Sequence, residues 1–580
     1  MFKHFLFALT PLALAGCATP QAQTGPAGTT GPSQSTGGGA VSAADPRAEA
    51  AGLAILRRGG NATDAAIATM IALTVVEPQS SGIGGGGFMV RGTADGHVTS
   101  FDGRETAPAG AGPDWFLDAG GKPRPYSQVV GTGLSVGVPG NIALAAQAHR
   151  ASGKLPWAVL FEPAIALARD GFVMNARLHA SLSDPNTRSD DRPEGRALYR
   201  DAAGAPLPAG ARVTVPALAD TLERIARAGP EAFYRGDMAE GMAATVRAAT
   251  PARPDAGARA GMTVADFAAY RAQERASVCG TYRGYRICGM GPPSSGGVAV
   301  LQMLSMLERF DLAALGKDNP ITWHLFVEAQ RLAYADRELF AADPDFVPVP
   351  VGGLLDPAYL AGRSRLIDPG KAMAEARPGS PPGARTAFAD GDEGVENGTS
   401  HLAVVDSTGT MVSYTSTIEA AFGSGLVAGG FFLNNELTDF SFAPAQGGKP
   451  VANRVEGGKR PRSSMSPTVV WDPAGRPFLV VGAAGGPTIP VSTARAIIGV
   501  IDFGLDAPGA LALPFIMAGS DAVMVEEGTP LAGAVPALRA LGHARINVRP
   551  APIKVNALLR TPSGWQAGRE PRMAQLVAVP

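Results

Sequence analysis

The stretch Asn397–Phe442 reads NGTSHLAVVDSTGTMVSYTSTIEAAFGSGLVAGGFFLNNELTDFSF, and its first half decides the fold. His401–Val405 and Thr410–Thr417 are β-rich runs joined by the turn Asp406-Ser407-Thr408-Gly409. The residues before them, from about Arg377 to Asn397, are polar, rich in Gly and Pro, and lack a hydrophobic period. A Gly398-Thr399 step at a strand edge after such a segment is suited to self-cleavage that frees a threonine amine. Alone, Asn397-Gly398-Thr399 also reads as a hairpin turn or a glycosylation sequon.

The rest of the chain narrows the choice. It has 580 residues, a net charge of −1 and 45% hydrophobic residues, enough for a large core and without the basic excess of a nucleic-acid binder. At the N-terminus, MFKHFLFALTPLALAGC carries an apolar run, Phe5–Ala15, too short to span a bilayer, so residues 1–17 read as a signal peptide. Leu14-Ala15-Gly16-Cys17 resembles the bacterial lipoprotein box, which implies lipidation of Cys17; Ala18 in place of Asp favours an outer-membrane anchor facing the periplasm. An ordinary signal peptide is the alternative. Residues 18–43, rich in Gly, Thr, Ser, Gln and Pro, read as a flexible tether. Cys279 and Cys288 lie in VCGTYRGYRIC, where a two-residue turn at Arg283-Gly284 sets them opposite each other. In an exported protein that predicts a cross-strand disulfide, against two buried thiols.

Asn61 fits the N-cap of a buried helix to about Val76, and Gly82–Gly87 leads into a strand rather than a phosphate-binding helix. The glycines therefore read as close backbone packing. Ser294 and Ser295 precede a helix without a nucleophile-elbow motif, so helix capping is their expected role. His324 and Glu328 are spaced i, i+4 but do not form HExxH, so an ion pair or core packing is the reading, and neither a metal nor a cofactor is expected.

The Asn397–Phe442 stretch resembles the start of the small subunit of γ-glutamyltranspeptidases, and further matches cover nearly all of the chain after about Ala44. The resemblance implies an α+β, four-layer αββα sandwich of the N-terminal-nucleophile hydrolases. It implies one catalytic domain cut into a large subunit, 44–398, and a small subunit, 399–580, held as a heterodimer. A freed Thr399 would carry nucleophile and base together, because an α-amine with an unperturbed pKa of about 8 can take a proton near neutral pH. Thr417 would support that amine, and Gly485-Gly486 would supply oxyanion-hole N–H groups. Arg104 in Arg104-Glu105-Thr106-Ala107-Pro108, with Ser463 and Ser464, would hold the substrate carboxylate, and Asp439 with Glu436 the α-ammonium.

Two departures bear on the substrate. Glu419 stands where well-known members have Asn, and the Ser441–Arg462 segment is shorter than in members with a lid. Glu419, Glu436 and Asp439 together form an acid cluster that needs a cation, which favours γ-glutamyl amides such as glutathione, with an amino acid, peptide or water as acceptor. The TSTIEAAFGS wording also resembles a branch with cephalosporin (glutaryl) acylases. A third reading is a non-catalytic, peptide-binding lipoprotein that keeps the fold without the cut.

Overall fold

The computed structural model describes residues 34–35, 38–251, 261–384, 388–389, 398–519 and 522–578. The signal peptide, Cys17 and most of the tether lie outside them. In chain order, the strands that build the two central sheets are β1 (Gln34–Ser35), β2 (Ala40–Ala43), β3 (Gly86–Gly92), β4 (Val98–Gly103), β5 (Gln273–Arg275), β6 (Val278–Tyr282) and β7 (Tyr285–Gly289). They continue with β8 (Gly398–Val405), β9 (Met411–Glu419), β10 (Thr468–Trp471), β11 (Pro477–Ala484), β12 (Lys554–Thr561) and β13 (Gly564–Arg569). Four helices matter below: α1 (Ala62–Val76), α2 (Gly296–Leu307), α3 (Pro320–Phe340) and α4 (Thr488–Ile501).

One antiparallel sheet has the order β2-β8-β9-β3-β4-β5, the other β1-β13-β12-β11-β10-β7-β6. Strand β8 shows how they stack. Leu402 and Val404 join the apolar cluster of α1, while Ala403 and Val405, on the opposite face, join Leu479, Val480 and Val481 of the second sheet. Both faces of β8 are therefore apolar, as a doubly covered strand requires. α1 covers the outer face of the first sheet, and α2 with α4 covers that of the second, giving α, β, β, α layers. α1 is buried along its whole length, and its start is fixed by a capping box in which Asn61 Oδ1 accepts from Asp64 N and Asp64 Oδ2 accepts from Asn61 N.

Three expectations need adjustment. Ala40–Ala43 is a buried strand, not tether: its small residues fill the flank of β8, with Leu402 opposite Ala43 and Val405 opposite Ala40. The two β-rich runs extend to 398–405 and 411–419. The serines before α2 do not act as a simple helix cap; Ser294 Oγ donates to the Met465 carbonyl and Ser295 Oγ to that of Ser463, tying α2 to the 463–465 segment. A disulfide joins Cys279 to Cys288, Cα atoms 4.2 Å apart, across a turn in which Arg283 and Gly284 both take positive φ.

Candidate active site

Thr399 is the second residue of β8, buried at 2% exposure and still joined to Gly398. Opposite it lies Thr417 of β9, and the register shifts between Gly398 and Thr399, which takes the peptide between them out of the regular ladder. The Thr399 hydroxyl donates to Thr417 Oγ1 at 3.3 Å; Thr417 Oγ1 in turn donates to the Gly398 carbonyl at 2.7 Å and accepts from Glu419 N at 2.8 Å. Thr417 therefore bridges the Thr399 hydroxyl and the Gly398 carbonyl oxygen. Gly398 is required sterically, since a Cβ there would stand 2.6 Å from the Glu419 and Ala420 carbonyl oxygens.

The glycine run packs as expected. A Cβ on Gly84 would lie 2.0 Å from the Phe432 carbonyl oxygen and one on Gly85 2.0 Å from that of Thr417. Bare backbone lets this loop press against the end of β9.

Gly485 and Gly486, both at positive φ (123° and 55°), turn the chain from β11 into α4. Two contacts link the strands at this turn to β8 near Thr399. A Cβ on Gly482 would strike the His401 ring at 2.4 Å. Lys554, paired with Ala484, donates from Nζ to the Thr399 carbonyl. His401 is no catalytic base: burial pushes its imidazole down to about 3, and Nδ1 lies 2.9 Å from Thr415 Oγ1.

Arg104 emerges at the end of β4 into a nest of acids. Its Nη1 pairs with Glu436 and its Nη2 with Asp439, while Nη2 also donates to the Arg462 carbonyl at 2.8 Å and Nε to that of Pro461 at 3.2 Å. This corrects the expectation of an acid cluster facing Arg104 across the substrate: the guanidinium sits inside the cluster and ties down two of its members. Glu419, at a positive φ of 73°, accepts from Asn435 Nδ2 and stands 3.5 Å from the Tyr126 hydroxyl. Burial, then Asp439, pushes its carboxyl well above the usual range. Glu436 is pushed up the same way by burial, with Arg104 opposing and the neighbouring acids adding to the shift. A fourth acid that the sequence reading passed over, Glu105, is fully buried against Gly86 and Gly137 and raised to about 7 by burial, against the pull of Arg104. Ser463 and Ser464 lie next along the chain from Pro461 and Arg462, both buried. Ser463 Oγ accepts from Met465 N at 3.1 Å and Ser464 Oγ from Arg337 Nη2 of α3 at 2.8 Å.

Away from this site, His324 and Glu328 meet His543. Glu328 binds Arg331 at 2.9 Å and the Met373 N–H at 2.7 Å; His324 binds His543 at 2.8 Å and the Asp368 carbonyl at 2.7 Å. The pair reads as a polar network with an ion pair.

The family model described as gamma-glutamyltranspeptidase matches residues 48–579. The chain belongs to the γ-glutamyltranspeptidase family. Among its relatives, the Bacillus subtilis (strain 168) glutathione hydrolase proenzyme is 38% identical over 524 residues, 87% of this chain and 85% of the relative. The acylase ACY 1 proenzyme of Pseudomonas sp. (strain V22) is 36% identical over 532 residues, 90% of each. The crystal structure of cephalosporin acylase from Bacillus halodurans superposes with a TM-score of 0.78 at 28% identity, covering 95% of this chain and 98% of that one. This γ-glutamyltranspeptidase-family chain is thus an enzyme with the N-terminal-nucleophile hydrolase fold. Three further residues lie against these side chains without having been assigned a role from the sequence: Glu105 beside Arg104, Asn435 on Glu419 and Lys554 on Thr399. Glu105 directly follows Arg104 and was legible there, whereas Asn435 and Lys554 carry no local signal.

Proposed function

We propose that the chain cuts itself between Gly398 and Thr399 and that the freed Thr399 then hydrolyses or transfers γ-glutamyl groups, from glutathione-like amides, through a γ-glutamyl ester on its Oγ1. One observation carries the reading: Thr417 bridges the Thr399 hydroxyl and the Gly398 carbonyl in the uncut chain. The Thr399 oxygen attacks the Gly398 carbonyl carbon, the C–N bond breaks, and the Thr399 nitrogen takes a proton. Water then hydrolyses the resulting ester, leaving a Gly398 carboxylate and a Thr399 with free hydroxyl and amine. The same hydroxyl, now with its own amine as base, attacks the substrate amide. Gly485-Gly486 is assigned to the oxyanion, Arg104 with Ser463 and Ser464 to the substrate carboxylate, and Asp439, Glu436 and Glu419 to the ammonium. The two cleaved chains, one ending at Gly398 and including Ala40–Ala43, the other 399–580, stay together as one heterodimeric domain, because β8 and β9 of the second are sandwiched between β2 and β3 of the first.

The second reading, a glutaryl or cephalosporin acylase of the same fold, is favoured by the acylase relatives. A peptide-binding lipoprotein without the cut is the third. Thr399→Ala remaining one chain while wild type gives two bands, with the small chain beginning at Thr399 by N-terminal sequencing, tests the mechanism. A small chain starting elsewhere, or no cut at all, refutes it.

A further inference from the structure

The proposed mechanism leaves one buried titratable group beside the nucleophile without a role. Lys554 opens β12 in the second sheet, opposite Ala484, the last residue before Gly485-Gly486. Its side chain crosses to the first sheet and donates to the Thr399 carbonyl and, at 3.2 Å, to Ser80 Oγ. Ser80 also accepts from Arg177 Nη2 at 2.8 Å, and Arg177 pairs with Glu77, which accepts from Ser400 Oγ at 2.7 Å. Among the described residues no carboxylate pairs with Lys554 itself, although it is 9% exposed. Burial, then Arg177, pushes its amine well below the usual lysine range; a buried polar amine without a counter-ion is costly and, were it only filling space, a hydrophobic residue would do better.

The strand register says what the lysine does. β2 flanks β8 only at Leu402–Val405. At Gly398–His401 that flank has no strand among the described residues, and there Lys554 supplies the donor for the Thr399 carbonyl. After the cut, Thr399 loses its covalent hold on the N-terminal side. The Cα from which its amine and Cβ project is then placed by the Thr399–Ser400 peptide plane alone, and a fixed carbonyl holds that plane. We propose that Lys554 is a positioning residue for the nucleophile: it pins the Thr399 carbonyl and so places the Cα that carries both the Oγ1 side chain and the new amine, on the side of the Gly485-Gly486 turn that follows the neighbouring strand β11. This rests on Thr399 being the nucleophile, and it assigns no contact with substrate.

The test compares wild type with Lys554→Met, Lys554→Gln and Lys554→Arg. It follows the rate of precursor cleavage, kcat and KM for γ-glutamyl and glutaryl anilides, and the thermal unfolding midpoint. Lys554→Met should lower kcat at least about tenfold, the scale of one charge-assisted hydrogen bond, with KM within about twofold. Precursor cleavage should slow in parallel while the unfolding midpoint holds or rises. Gln or Arg, which keep a donor, should recover part of both rates. A Lys554→Met kcat and cleavage rate within about twofold of wild type overturns the proposal, as does failure of both donor-bearing variants to exceed Met. If wild type cuts but hydrolyses neither anilide, the substrate reading fails while the cleavage arm still decides the role of Lys554. If wild type never cuts, both fall.

Discussion

Replacing Thr417 with Val removes a single hydroxyl and keeps the shape of the side chain. Two consequences follow from its contacts. The Glu419 N–H, 2.8 Å from Thr417 Oγ1, loses its buried acceptor, which costs about 1–3 kcal/mol of stability. The Gly398 carbonyl oxygen, 2.7 Å from the same atom, loses its donor as negative charge develops on it during self-cleavage. Loss of one donor to such an oxyanion typically costs about 2.7–4 kcal/mol of transition-state stabilisation. Here the bond already has ground-state length, near the mode for O–H···O, so only the part that strengthens in the transition state counts. We therefore expect cleavage to slow roughly 10- to 100-fold, about 1.4–2.7 kcal/mol. Thr417→Ser keeps the hydroxyl and should cut at close to the wild-type rate. The assay is the conversion of purified precursor to two chains on a denaturing gel, with intact mass at each time. A Thr417→Val precursor that converts within about threefold of the wild-type half-life refutes the assignment, and a loss shared equally by Thr417→Ser shows that packing, not the hydroxyl, is responsible.

Other expectations follow from the acid nest and the N-terminus. With anilide substrates, kcat/KM for the γ-glutamyl compound should exceed that for the glutaryl one. Arg104→Ala and Asp439→Ala should each lower the γ-glutamyl value by about one to two decades, whereas Asp439→Ala should cost the glutaryl compound little; a wild-type glutaryl preference would move the enzyme to the acylase reading. Glu105, raised in the fold from 4.5 to about 7, binds a proton that the unfolded chain releases first, so its contribution to stability is full below about pH 4.5 and fades as pH rises through 7. Urea unfolding of the uncut Thr399→Ala chain should show stability falling across that window, and less steeply in Thr399→Ala/Glu105→Gln; an unchanged slope in the double variant excludes Glu105 as a source. Cys17→Ser should release the protein from membranes into the soluble fraction, and a wild-type protein already soluble there removes the anchor.

The parts of this molecule legible in its sequence are those where one residue type is forced locally. Gly398, Gly84 and Gly85 are places where a Cβ would collide with a carbonyl, and the glycines announce them without a structure. Asn61 and Asp64 announce the start of α1 through a capping box four residues long. Asp406–Gly409 fixes the β8–β9 hairpin and with it the opposition of Thr399 and Thr417. What stayed hidden depends on contacts across hundreds of residues. Nothing around Lys554 signals that its ammonium reaches Thr399, because the contact exists only once the two sheets have stacked. Ala40–Ala43 looked like the end of a tether because four small residues have no period of their own; only the empty flank of β8 makes them a strand. The acid nest was half legible: its residue types were visible, but not that Arg104 is enclosed among them.

That enclosure bears on the substrate. Arg104 is held by Glu436 and Asp439, so any incoming carboxylate must compete with two acids for one guanidinium. A glutaryl group brings only its carboxylate. Drawing Arg104 toward it leaves Glu436 and Asp439, beside Glu419 and Glu105, with less positive charge in a site where burial already drives Glu419 and Glu436 toward the protonated form. A γ-glutamyl group brings a carboxylate and an ammonium on the same carbon. Its carboxylate can take the guanidinium while its ammonium replaces that guanidinium among the acids, so net charge in the buried nest is unchanged on binding. The exchange conserves buried ion pairs only for a zwitterion. Glu419, where well-known members have Asn, adds to the demand for a cation, which is why the acid nest weighs toward the γ-glutamyl reading despite the acylase relatives.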